Sequence, residues 1–247
     1  MRKSTLIICT VAFLISLSNC TNSTSSQQVT PKNAEPIDSV KVSGEPCDVT
    51  IANIHFTKSV NNAASNISVD NHKITFTSGE KTDYFSDPNG KLSNTSAPIL
   101  LTKIDNSKPF TFSAKVTPGF TDDVYNAGVL YIYINDFFFQ KQCFEQDERG
   151  KHRIVTVRTV GTSDDNNHDI VEQPYAYMKI SSDTHTIAFY YSLDNVIWQM
   201  VRLYENNYPS EIWVGISNQC PMGKGSHSIF EELDLQLKSV SDFRLGI

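Results

Sequence analysis

Apolar and polar residues alternate through the middle of the chain with the two-residue period of β-strands. Four successive segments show this pattern, PFTFSAKVT, AGVLYIYIN, FFFQKQCFE and HRIVTVRTV, and a short polar turn follows each of the first three. In the second segment aliphatic residues alternate with a set that includes Tyr131 and Tyr133, so both faces of the strand are apolar. That pattern is typical of a central strand with covered faces.

Further segments of the same kind lie on either side of this stretch. They are TIANIHFT, HKITFTS and residues 98–104 before it, and QPYAYMKIS, HTIAFYYS, VIWQMVR, EIWVGIS and IFEELDLQLK after it. Residues 81–96 are predicted to form a loop that contains the turn Asp87-Pro88-Asn89-Gly90, and residues 162–173 a long polar loop. About a dozen strands without an amphipathic helix predict an all-β fold, a two-sheet antiparallel β-sandwich.

The N-terminus has the pattern of an export signal. Arg2 and Lys3 precede the apolar run Leu6–Leu17, which is too short to span a bilayer, and Cys20 lies where a bacterial lipoprotein carries its lipid. We therefore predict a lipoprotein-type signal peptide (1–19), lipidation of Cys20, a flexible linker (20–46) and one domain (47–247). The expected location is the cell envelope, with a lipid anchor in the membrane. Ordinary cleavage after Ser18, which would give a secreted protein, is the alternative.

Charge and cysteine content narrow the classes of partner. The net charge is −6 and no basic run occurs, which argues against binding to nucleic acid. Cys47, Cys143 and Cys220 follow the linker, and their spacing leaves open which two, if any, form a disulfide.

The third of the four central segments carries the best candidate site. Phe139, Lys141 and Glu145 lie at even spacing, so an extended chain places a ring, a cation and a carboxylate in one row on one face. A ring can stack on a sugar, and the two charged groups can bind its hydroxyls. The alternative is a same-strand ion pair on a solvated face.

Two other patterns suggest chemistry more weakly. The segment from Ser163 to Asp169 is dense in oxygen ligands and could bind calcium, although a solvated turn is the default; no other cofactor is expected. Glu232, Asp234 and Gln236 partly match the acidic strand of laminarinase-type hydrolases, but an amide in the third position cannot donate a proton.

Several aromatic residues could line a groove, but aromatic residues at strand spacing more often fill a core. They are Tyr131, Tyr133, Tyr190, Trp198 and Trp213. We expect core positions for this set and assign Trp198 to the interior.

Short motifs from about residue 52 to the C-terminus resemble a family of unknown function that includes the yeast regulator of enolase. They are TDYF at Thr82, FTFSAKV at Phe110, NAG at Asn126, FQKQCFE at Phe139, SD at Ser163, YSLDNVIW at Tyr191 and CPMGKG at Cys220. This chain departs from the family where Phe139 replaces a Trp, where Tyr125 replaces an acidic residue and where Asp165 replaces a Trp.

The resemblance implies a concanavalin A-like jelly roll of the lectin/glucanase class with a concave face, and no established activity. It adds Asp83, Phe85, Ser163 and Asp164 to the candidate ligand-binding residues.

Together these observations predict an exported, lipid-anchored protein that binds a glycan or polysaccharide without cleaving it. The first alternative is a glycoside hydrolase or polysaccharide lyase that uses Glu145, Asp83 or Glu232, and release of products from a glycan would reveal it. The second is a protein-interaction module, which would bind a partner protein and no glycan.

Overall fold

A computed structural model of the chain describes residues 41–247. It contains one 3-10 turn (Ala63–Ser65) and seventeen strands: β1 (Glu45–Ile51), β2 (Ile54–Val60), β3 (Ile67–Asp70), β4 (Lys73–Gly79), β5 (Tyr84–Ser86), β6 (Ser93–Thr95), β7 (Ile99–Asp105), β8 (Phe110–Gly119), β9 (Ala127–Asn135), β10 (Phe138–Gln146), β11 (His152–Val160), β12 (Thr162–Ile170), β13 (Ala176–Ser182), β14 (Thr186–Ser192), β15 (Trp198–Glu205), β16 (Glu211–Gln219) and β17 (Gly225–Gln236).

The strands form two large antiparallel sheets and one small hairpin. The first sheet has eight strands in the order β1-β2-β7-β16-β9-β10-β11-β12, and the second has seven in the order β15-β14-β13-β8-β17-β4-β3. Strands β5 and β6 pair only with each other. The predicted all-β, two-sheet antiparallel sandwich is confirmed.

Apolar side chains fill the space between the sheets and also cover the opposite side of the first sheet. The core between the sheets includes Phe112 of the second sheet and Phe144 of the first, both with no exposed surface. A second apolar cluster lies on the side of the first sheet that faces away from the second sheet, which we call its outer face. Residues 81–97, which contain β5 and β6 and which we call the strap, contribute Tyr84 and Ala97 to this cluster.

The four central segments are the strands β8 to β11, but they do not form one continuous sheet. Strand β8 lies in the second sheet, and β9, β10 and β11 are neighbours in the first. The segment TIANIHFT is also divided, because the chain turns between Ile51 and Ile54 with a φ of 50° at Ala52. Strand β1 begins at Glu45, so the last two residues of the predicted linker belong to a strand.

The polar segment 162–173 is not the loop that its composition predicts. Residues 162–170 form β12, an edge strand of the first sheet that pairs with β11. Six of its nine residues are highly exposed and polar, and polar residues on an edge strand oppose pairing with another chain. An edge strand exposed on both faces shows no apolar alternation, which explains the wrong prediction.

Strand β17 contains a bulge that changes the predicted alternation. Glu231 pairs with Lys115 and Asp234 pairs with Ser113, so Glu232 and Leu233 together lie opposite one residue of β8. Glu232 takes a φ of 50° there. One extra residue reverses the alternation: Phe230 and Leu233 both pack in the core instead of on opposite faces, and the Glu232 carboxylate contacts a hydroxyl on the outer side of the second sheet.

Trp198 is half-buried beside Lys179 and is not an interior residue. Cys47, Cys143 and Cys220 are free thiols. Within residues 41–247 no helix has the length and hydropathy needed to span a membrane. The predicted signal peptide, Cys20 and most of the predicted linker lie outside the described residues.

Candidate functional site

Three of the predicted site residues meet on the outer face of the first sheet. Lys141 donates a hydrogen bond to Asp83 Oδ1 at 2.9 Å and another to Gln219 Oε1 at 2.8 Å. Gln219 in turn donates to Glu145 Oε2 at 3.3 Å. Lys141 and Glu145 come from β10, Gln219 from the end of β16 and Asp83 from the strap. We call these four side chains the Lys141 network.

The network is almost completely withdrawn from solvent. Lys141 is 1% exposed and Glu145 8%. Burial is the largest influence and alone would lower the pKa of Lys141, but the adjacent Asp83 carboxylate and other neighbouring groups together raise the pKa, so the amine stays charged. Burial raises the pKa of Glu145 well above its ordinary value, and Lys141 offsets this only in part. Glu145 can therefore offer an O–H donor where an ionised carboxylate would only accept.

Phe139 does not present a stacking surface. It lies on the same face as Lys141, as the spacing predicts, but it is only 1% exposed. The ring of Tyr84 from the strap packs edge-on against it with ring centroids 5.5 Å apart. The three side chains share one face, as the spacing predicts, but the strap covers the ring and the cation, so the expected stacking of Phe139 on a sugar is wrong.

The other aromatic residues of this face are also covered. Tyr131, Tyr133 and Trp213 belong to the same buried cluster, so they fill a core as expected, although this core lies outside the sandwich. Phe85, from the strap, packs against this cluster and remains partly exposed.

Hydrogen bonds hold the strap against the sheet at two places. The hydroxyls of Tyr84 and Tyr133 donate to Asp136, which also accepts from Ser43 at 2.7 Å. At the second place, the backbone N–H of Ser86 donates to Ser163 Oγ at 2.9 Å. Ser163 therefore positions the strap and is itself 2% exposed.

Asp164 lies on the wrong side of its strand to join the site. It pairs with Arg158 across the sheet and forms an ion pair with Arg202 of the second sheet at 3.3 Å. The next residue, Asp165, pairs with Val157, which pairs with Lys141. Paired residues share a face of a sheet, so Asp165 is exposed on the outer face two strands from Lys141.

Two members of this site were missed in the sequence. Gln219 ends a long apolar strand directly before the CPMGKG motif, and an uncharged amide gave no signal there. Asp165 was noticed only as a departure from the family pattern and as part of the segment considered for calcium. Its position on the outer face could have been inferred from Ser163 and Asp164 if residues 162–170 had been assigned as a strand.

The segment considered for calcium does not gather its oxygen atoms. Because Ser163 and Asp165 point to one face of β12 and Asp164 to the other, their side chains do not converge. Among residues 41–247 no three His, Cys, Asp or Glu side chains are close enough together to hold a metal ion.

Comparison with known families agrees with the motifs. The model of the family described as protein of unknown function (DUF1349) matches residues 60–238. The chain belongs to this family. The resemblance inferred from the motifs is therefore confirmed, and the family description names no activity. No curated protein sequence matches the chain.

Solved structures share the fold at low sequence identity. A functionally unknown protein from Saccharomyces cerevisiae matches with a TM-score of 0.67 and 20% identity over 74% of this chain and 97% of that chain. The GH43 BlXynB protein from Bacillus licheniformis matches with a TM-score of 0.55 and 14% identity over 70% of this chain and 35% of that chain. The Bacteroides ovatus xyloglucan PUL GH43B gives 0.56 and 14% over 74% and 36%. This chain spans about a third of each of these two GH43 proteins.

Proposed function

We propose that this protein binds a carbohydrate without cleaving it, at the edge of the Lys141 network on the outer face of the first sheet. The observation that carries the proposal is the hydrogen-bonded chain from Asp83 through Lys141 and Gln219 to Glu145. Burial of a lysine and a glutamate is less favourable than burial of apolar residues of the same size. Ionisable groups with displaced pKa values in such a position mark candidate functional sites.

The groups at the edge of the network suit a sugar. Glu145 supplies a proton donor, Asp165 supplies an exposed carboxylate acceptor, and Phe85 supplies a partly exposed ring. Hydroxyls of a sugar both donate and accept, so they can use the first two groups together. The fold shared with GH43 proteins supports a carbohydrate as the ligand class, but it names no particular sugar.

Export and lipid anchoring through Cys20 belong to the same proposal. A protein held at the cell envelope by a lipid on Cys20 would meet polysaccharides outside the cytoplasm. The linker would set the distance between the membrane and the domain.

The test is a glycan array that includes xylo-oligosaccharides, probed with the full chain and two single variants. Asp165→Asn removes the negative charge and one oxygen of an exposed acceptor at nearly constant size, and Asp164→Asn is the matched control because its side chain points to the opposite face. We expect the parent and Asp164→Asn to bind the same glycans, and Asp165→Asn to bind them about tenfold more weakly, since a charge-assisted hydrogen bond contributes about 1.5–3 kcal/mol.

Three results would contradict the proposal. One is that the parent retains no glycan, which would favour a protein-interaction module. Another is that Asp165→Asn binds as the parent does. The third is that new reducing ends appear in the glycan after incubation with the parent, which would show hydrolysis, with the protonated Glu145 as the candidate general acid.

A further inference from the structure

A second cleft lies on the side of the second sheet that faces away from the first. The Lys141 network lies on the outer face of the other sheet. The volume of the cleft is about 620 Å³. The floor comes from β8 and β13, one wall from β17, and the opposite wall from residues 238–247 and Trp198. We call it the second cleft.

Lys179 lies in this cleft without an anionic partner. Its Nζ donates to the backbone carbonyl of Gly246 at 2.9 Å and lies 3.5 Å from the centre of the Trp198 ring. Among residues 41–247 no carboxylate lies within 4.0 Å of it. Lys115, on the same side of the sheet, is 3.4 Å from Glu231. The charge of Lys179 is therefore held only by neutral groups.

The surroundings of Lys179 make its charged form costly. It is half-buried, and desolvation lowers its pKa to about 8. An anion placed beside this amine would supply the missing counter-charge and favour the protonated form. The cleft is therefore suited to a ligand with a negatively charged group.

The rest of the cleft limits what that ligand can be. The Glu232 carboxylate, which accepts from the Tyr177 hydroxyl at 3.3 Å, and Asp234 line the wall formed by β17. They can accept from hydroxyl groups but repel added negative charge. A ligand with one carboxylate and many hydroxyls fits both requirements, whereas a phosphate with two charges does not.

Backbone strain in the wall formed by β17 also indicates a ligand site. Glu232 is not a glycine, and its φ of 50° is unfavourable for a residue with a side chain. Strained positions persist where the surrounding structure imposes them, and they cluster at ligand sites. Here the strain places a carboxylate beside Tyr177 in the cleft.

We propose that the second cleft binds a carbohydrate that contains a uronic acid unit. The carboxylate of the sugar pairs with Lys179, and Glu232 and Asp234 accept hydrogen bonds from its hydroxyls. This site is separate from the Lys141 network and does not depend on it.

The test compares a xylo-oligosaccharide that carries a single glucuronic acid unit with its methyl ester, which has nearly the same size and no charge. Calorimetric titration of the full chain is expected to give at least tenfold tighter binding of the acid. Lys179→Gln should abolish that preference, and Lys115→Gln should keep it because Lys115 has its own carboxylate partner. Asp165→Asn should also keep the preference for the acid, because Asp165 lies at the Lys141 network and not in the second cleft. A failure of the second cleft to bind is therefore distinguishable from a failure of the site at the Lys141 network. Equal binding of the two probes, binding of neither, or an unchanged preference in Lys179→Gln would overturn the proposal.

A second measurement uses the parent protein alone, in case Lys179→Gln does not fold. Titratable and charged groups near Lys179 are Tyr177, Tyr190, Glu232, Asp234, Lys238, Asp242 and Arg244. Below about pH 8 Lys179 is protonated, so affinity for the acid should be highest there and should fall as pH rises above that value. Nuclear magnetic resonance of ¹³C-methylated lysines should show the pKa of Lys179 rising when the acid binds, and a pKa that does not rise would exclude the ion pair.

Discussion

Lys141 and Asp83 form a buried ion pair between positions 58 residues apart in the sequence, with 2.9 Å between Nζ and Oδ1. Lys141 belongs to a central strand of the first sheet and Asp83 to the strap. The side chains are 2% and 13% exposed. This pair therefore joins the strap to the sheet in surroundings where an unpaired charge is costly.

Replacing Asp83 with Asn should destabilise the domain by about 3–5 kcal/mol, because it leaves the Lys141 charge buried without its counter-charge. Asn keeps an oxygen that can accept from the backbone N–H of Tyr84, as Asp83 does now. The free energy of unfolding, measured with urea for the parent and the variant, checks this value.

The double variant Asp83→Asn with Lys141→Met provides the control. Removing both charges should restore most of the lost stability, because no buried charge remains unpaired. If the double variant is as unstable as Asp83→Asn alone, the ion pair does not account for the loss.

Glu145 should make the stability of the domain decrease as pH rises. Burial raises its pKa in the folded protein above the ordinary 4.5, so the folded state holds this proton more tightly than the unfolded state. Its stabilising contribution is present at pH values below 4.5 and is lost as pH rises from there through the raised folded pKa, by at most about 1.4 kcal/mol per pH unit. Glu145→Gln cannot lose a proton there, so unfolding with urea should show it gaining stability relative to the parent between pH 5 and pH 8.

Asp164→Asn serves as the comparison for this measurement, since Asp164 is exposed and lies on the other face of the sheet. A difference between Glu145→Gln and the parent that is the same at pH 5 and pH 8 would show that Glu145 is ionised throughout this range.

Cys20→Ala should release the protein from the membrane. A lipid chain contributes about 0.8 kcal/mol for each methylene buried in the bilayer, so the lipidated parent should enter the detergent phase of a Triton X-114 partition and incorporate labelled palmitate. The variant should remain in the aqueous phase without label. A parent that is found in the aqueous phase would indicate ordinary cleavage and secretion instead.

The strands that could be predicted are those in which one face is apolar and the other polar, or in which both faces are apolar. Strands β8 to β11 and β13 to β17 were recognised in this way. Strand β12 was not, because solvent reaches both of its faces and no alternation results. The turn at Ala52 was missed because a positive φ at an alanine leaves no mark in the sequence.

The site could be predicted only in part, for a different reason. Even spacing correctly placed Phe139, Lys141 and Glu145 on one face, and the motif resemblance brought Asp83 to them. Whether that face is open depends on where the strap lies, and the short strap strands have few apolar residues to show it. The exposed groups therefore had to be found in the structure.

The extra residue in β17 has a consequence for how this strand can vary. Since Glu232 and Leu233 lie together opposite a single residue of β8, a chain that lacked Glu232 would pair regularly and keep Leu233 inward and Asp234 outward. Deletion of a residue elsewhere in the paired part of β17 would instead shift the register, so that leucine side chains would face solvent. The pairing of β17 therefore does not require Glu232. A chain without this residue would lose the carboxylate beside Tyr177.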